Sequence, residues 1–65
     1  MLPLLPFERI ARKAGVKRIS KDAIEELRDA SLEYALELAE KAVKVSQHAG
    51  KRTVQEEDVK FVLKE

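Results

Sequence analysis

The chain has 65 residues, with 13 Lys or Arg against 12 Asp or Glu, one His and no Cys, for a net charge of +1. That length allows one domain, residues 1–65, which is marginal unless something staples it. Without Cys there is no disulfide or thiolate metal site, and a single His excludes most other metal cages. No metal and no cofactor are expected, and oligomerisation remains as the staple. No apolar run approaches the roughly 20 residues of a membrane span. Met1–Pro6 holds two Pro and no basic leader, so it does not read as a signal peptide. The expectation is a soluble, cytoplasmic protein with no membrane and no small-molecule substrate.

In chain order, Pro6 suits the first turn of a helix, where its missing N–H costs nothing. Phe7, Ile10, Ala11 and Ala14 then recur at helical spacing, which predicts a short one-faced helix ending before Gly15. Arg9, Arg12 and Lys13 lie off that face. Val16-Lys17-Arg18-Ile19 is a connector of alternating character, long enough to bridge to another extended segment but not to build a sheet.

Ser20 to His48 reads as one unbroken helix, free of Pro and Gly, with Ser20 as its N-cap and Asp22 in its first turn. Gly50 follows as a left-handed C-terminal cap. Such a helix is roughly 40 Å long, which exceeds the diameter implied by a radius of gyration of roughly 11 Å for a compact chain of this size. One apolar stripe runs through Ile24, Leu27, Ser31, Tyr34, Leu38, Ala42 and Val45, and a second row, Leu32, Ala35, Leu36, Ala39 and Val43, widens it. Glu37–Lys41 and Glu40–Lys44 are spaced for ion pairs on the solvated face. The flanks are too short to cover so much apolar surface. A second copy of the chain packed across the helix is therefore expected, and with it an obligate dimer.

Lys51-Arg52 forms a second connector. Thr53 and Glu56 have the spacing of a capping box, with Thr53 as N-cap of a last helix that carries Val54, Val59, Phe61, Val62 and Leu63. The fold class is all-α, with a short helix, a long central helix and a short helix. The positive charge gathers in the first flank and just after the long helix: residues 1–18 hold five basic side chains against Glu8 alone, residues 19–50 hold four basic against seven acidic, and Lys51-Arg52 follow.

The plan resembles the histone fold, and three motifs resemble those of archaeal histones: Leu4-Leu5-Pro6-Phe7-Glu8-Arg9-Ile10, Lys13-Ala14-Gly15-Val16-Lys17-Arg18-Ile19-Ser20, and His48-Ala49-Gly50-Lys51-Arg52-Thr53-Val54-Gln55-Glu56-Glu57-Asp58-Val59. The resemblance implies an intertwined handshake dimer, with itself or with an unlike histone, in which the first connector of one chain lies beside the second connector of the other. It implies double-stranded DNA as the partner. It implies further that Arg18 and Thr53 form a paired contact, that Arg9 supplies another minor-groove arginine, and that Lys13, Lys17, Lys51 and Arg52 face phosphates. It also implies that Val45, His48 and Asp58 help dimers associate into tetramers or longer arrays on the chromosome. Asp58 reads besides as an intrachain partner for a basic residue of the second connector.

Arginines entering a narrowed minor groove, with phosphate contacts around them, bind and bend duplex without reading bases. Two function classes follow: a DNA-compacting protein that wraps or bridges duplex, or a dimerisation scaffold within a larger assembly, which the low net charge favours. The family commonly has Arg then Lys after the glycine, whereas here Lys51 precedes Arg52. No nucleophile stands beside a base and no Gly-rich phosphate loop occurs, so an enzyme is not expected. A sequence-reading helix-turn-helix would not need so long a central helix.

Overall fold

The computed structural model describes residues 2–64. It contains three helices: α1, Leu5–Lys13; α2, Lys21–His48; and α3, Glu56–Lys64. No strand occurs among the described residues. The chain divides into two compact units, Met1–Leu32 and Glu33–Glu65, with the division falling inside α2.

In the first unit, α1 begins one residue earlier than Pro6, so the proline occupies the second helical position. The Leu4 carbonyl accepts the N–H groups of Phe7 and Glu8, both at 3.0 Å. At the other end Val16 N–H reaches the Ala11 carbonyl at 3.1 Å and Gly15 N–H the Arg12 carbonyl at 3.0 Å. These are the paired bonds of a Schellman cap, and they require the left-handed φ of +102° found at Gly15. Ser20 caps α2 as expected, its Oγ accepting the Ala23 N–H at 3.1 Å. Ala11 and Ile24 are buried, whereas Ile10, on the expected apolar face of α1, is exposed. Arg28 is buried as well. Its Nε donates to Asp29 Oδ1 at 3.1 Å and its Nη1 to the Leu2 carbonyl at 3.4 Å, fastening the N-terminal segment to α2.

In the second unit, α2 ends on the same cap: Lys51 N–H bonds the Ser46 carbonyl at 3.0 Å, Gly50 N–H bonds the Gln47 carbonyl at 2.9 Å, and Gly50 has φ +73°. The apolar side chains buried here are Ala42 and Val62, and the polar ones are Ser46 and Asp58. The helix α3 starts at Glu56, which corrects the expectation of Thr53 as its N-cap. Gln55 is the capping residue: its carbonyl accepts the Asp58 N–H at 3.0 Å, and Asp58 Oδ2 accepts the Gln55 N–H at 2.8 Å. The reciprocal half of a capping box is thus present, but two residues further on, because Asp58 rather than Glu56 turns back to the chain. Glu56 instead pairs with Lys60, one turn on, at 2.6 Å on the surface. Glu37–Lys41 and Glu40–Lys44 form no ion pair, which suits exposed side chains whose freedom outweighs a screened attraction.

The apolar rows of α2 are mostly uncovered within the single chain. Leu27, Tyr34, Leu32, Leu36 and Val43 are exposed, and no large side chain among the described residues is fully buried. Burying such side chains is worth about 1.5–3 kcal/mol each, and this chain alone gains little of it.

Candidate nucleic-acid interface

The two connectors are built alike. Each opens with a Schellman glycine, Gly15 or Gly50. Counting on from it, Lys17 and Arg52 stand at the second position, and Arg18 and Thr53 at the third. In each turn the helix cap fixes the glycine and the residue after it. Arg18 and Thr53, which the resemblance pairs as a DNA contact, thus share the same spacing from their glycines.

In the first unit Arg9, Lys13, Lys17 and Arg18 are all exposed, and none has an ion-pair partner among the described residues. Arg12 differs: its Nη2 lies 3.3 Å from Glu8 Oε1, one turn earlier, which offsets its charge. Arg9 and Lys13, four residues apart, share one side of α1.

In the second unit the two basic residues of the connector, Lys51 and Arg52, differ in their surroundings. Arg52 is exposed and has no ion-pair partner among the described residues. The ammonium of Lys51 turns back onto α3 instead, 2.9 Å from Asp58 Oδ1, 3.1 Å from Glu57 Oε1 and 3.4 Å from Gln55 Oε1. Three acceptors use all three of its N–H groups. The Asp58 hydrogen bond, then the Glu57 one, raise the Lys51 pKa above its ordinary value. The Gln55 backbone N–H, with Lys51 second, holds the Asp58 carboxyl below the usual carboxylate range. Asp58 is 4% exposed and both of its oxygens are engaged inside the chain. The intrachain partnership expected of Asp58 is present.

Thr53 is exposed, and its carbonyl accepts the Ser46 hydroxyl at 3.1 Å. Val45 is half-buried and His48 exposed near the C-terminal end of α2. A shallow concavity beside them is lined by Lys44, Gln47 and His48. Among the described residues no group of three or more His, Asp or Glu could hold a metal ion, and no helix is long and apolar enough to cross a membrane. Two participants carry little sequence signal. Glu57 is one acid among three, and Ser46 is marked only by a hydroxyl beside the apolar stripe of α2.

The arrangement offers exposed cations along α1 and in both connectors. Residues 1–63 match the family model of the histone-like transcription factors (CBF/NF-Y) and archaeal histones. An archaeal histone of Thermococcus zilligii, one of the subunits of HAN1, is 44% identical over 63 residues, covering 97% of this chain and 94% of its own length. Probable archaeal histone 3 of Methanocaldococcus jannaschii matches to the same extent, 44% over 63 residues, with the same coverage of 97% and 94%. Histone H4 of Dictyostelium discoideum is 41% identical over 58 residues, covering 89% of this chain and 54% of its own length.

Proposed function

The chain belongs to the family of histone-like transcription factors (CBF/NF-Y) and archaeal histones, and from that premise we propose that it compacts double-stranded DNA by binding and bending duplex without reading its sequence. It is a histone-fold protein and not an enzyme. It works as a dimer, with itself or with an unlike histone, on the chromosome in the cytoplasm.

The observation that carries this reading is the matched position of Arg18 and Thr53, each three residues beyond a glycine-capped helix end and each exposed. In a handshake dimer the first connector of one protomer lies beside the second connector of its partner, so Arg18 would enter the minor groove next to Thr53. Arg9 would enter at the adjoining turn. Lys13, Lys17 and Arg52, exposed and uncompensated, would meet phosphates, while Lys51 would hold the connector through Asp58 and Glu57. Val45 and His48 would serve contacts between dimers, whereas Asp58, expected with them, is buried with both oxygens engaged inside the chain. Arginine is suited to the groove because its guanidinium is always charged and sheds water more readily than an ammonium. The scaffold alternative is not favoured by relatives that are themselves histones.

A gel shift with two duplexes of unrelated sequence tests the reading. Equal affinity for both is expected, falling steeply with salt at a slope of about −0.9 per neutralised phosphate. Arg18→Ala should weaken binding to both by roughly tenfold or more, the scale of a lost charged hydrogen bond. Failure of the unaltered protein to shift either duplex at low salt would overturn the proposal.

A further inference from the structure

We propose that Ser46, buried on α2, is a positioning residue for the second connector, holding Thr53 in place before DNA arrives. The proposal rests on the DNA-binding reading above and assigns a role to a side chain outside the basic surface.

Ser46 is 2% exposed. Its carbonyl accepts the Lys51 N–H at 3.0 Å, a bond the glycine cap imposes on whatever residue stands there. Its hydroxyl makes a second bond, which depends on the side chain, donating to the Thr53 carbonyl at 3.1 Å. One residue of the helix therefore grips the connector at both ends of Lys51-Arg52-Thr53. The other serine within α2 behaves differently: Ser31 returns its hydroxyl to the Leu27 carbonyl four residues back, at 2.7 Å, the usual habit of a mid-helix serine.

The Lys51 ammonium secures the same loop from the side of α3 through Asp58 and Glu57. Arg52 stands between two fixed residues and is the one cation of the connector left uncompensated among the described residues. A loop ordered in advance loses less conformational freedom when a duplex docks on it.

The test compares the unaltered protein with Ser46→Ala, Ser46→Thr and Arg52→Ala, measuring the Kd for a random-sequence duplex across a salt series, with a thermal melt of each variant. Ser46→Ala removes no charge and places a better helix former in α2. Its Kd should nevertheless rise roughly two- to tenfold, the scale of one hydrogen bond. Its salt slope should become shallower in the direction of Arg52→Ala, by up to about 0.9 for each phosphate that is no longer neutralised. Ser46→Thr should restore both. A charge-neutral change that alters the salt slope is the mark of positioning, which a loss of stability alone would not produce.

The role of Ser46 is overturned if Ser46→Ala keeps the Kd and slope of the unaltered protein while Arg52→Ala weakens binding. It is overturned equally if a Ser46→Thr variant that melts normally binds no better than Ser46→Ala. Absence of binding by the unaltered protein would remove the DNA reading itself, and this inference with it.

Discussion

The Lys51 ammonium lies 2.9 Å from Asp58 Oδ1, and the other oxygen of the same carboxylate accepts the Gln55 N–H at 2.8 Å. One buried acid thereby ties the second connector to the first turn of α3. Its pKa is lowered, so its contribution to stability is present above the ordinary carboxylate value of 3.8 and is lost as pH falls through the depressed folded value. The Lys51 pKa is raised, so its contribution is present below 10.5 and is lost as pH rises through the elevated folded value. Asp58→Ala should lower the melting temperature at neutral pH and converge with the unaltered protein in strong acid. Melting temperatures that coincide with those of the unaltered protein at every pH would show that the pair contributes nothing, and a constant offset would show that its contribution does not depend on titration.

Gly50 has φ +73°, and a Cβ built there meets nothing within 4 Å. Gly50→Ala should therefore cost only the backbone strain of a left-handed residue, about 1–2 kcal/mol. Denaturant unfolding would measure it. Gly50→Asn should cost less, since asparagine tolerates that region, and a neutral effect of alanine would contradict the cap.

Tyr34 is 58% exposed in the single chain. For an isolated protomer Tyr34→Glu would be an ordinary surface change, within about 0.5 kcal/mol. If a partner covers the stripe, the same change puts an unpaired charge into an apolar interface. The expected result is a marked, concentration-dependent fall in melting temperature and a monomer in sedimentation equilibrium. A variant that melts and sediments like the unaltered protein would mean that the stripe stays open.

Arg9 and Arg12 share α1, yet only Arg12 has a carboxylate beside it, Glu8 at 3.3 Å. Arg9→Ala should weaken DNA binding by roughly tenfold, whereas Arg12→Ala should change it by less than about twofold, in line with an offset surface charge. Titrations at one low salt concentration would separate them, and equal losses would refute the distinction.

The helices were legible because their ends are written in residue types: Pro6 near one start, Ser20 as a cap, Gly15 and Gly50 as stops. The start of α3 was not, since Thr53-Glu56 and Gln55-Asp58 both have box spacing. What decides between them is Asp58, whose burial beside Lys51 draws the Gln55 N–H toward it. The partnership of Asp58 with a connector lysine could be read from charge and proximity. The hold of Ser46 on Thr53 could not, because helical spacing places a hydroxyl on a face without saying which carbonyl it will meet. The open apolar rows on α2 were foreseen from their width, and the single chain leaves most of them bare.

The matching glycine turns make the outward reach of each connector a matter of counting. From Gly15 to Arg18, and from Gly50 to Thr53, the interval is three residues, and the helix cap fixes where the count begins. Deleting one residue from either turn would leave its composition almost intact yet bring the wrong side chain to the exit. The length of each turn is therefore as much a part of the site as the residues in it, since a removed residue shifts Arg18 or Thr53 from its exposed third place.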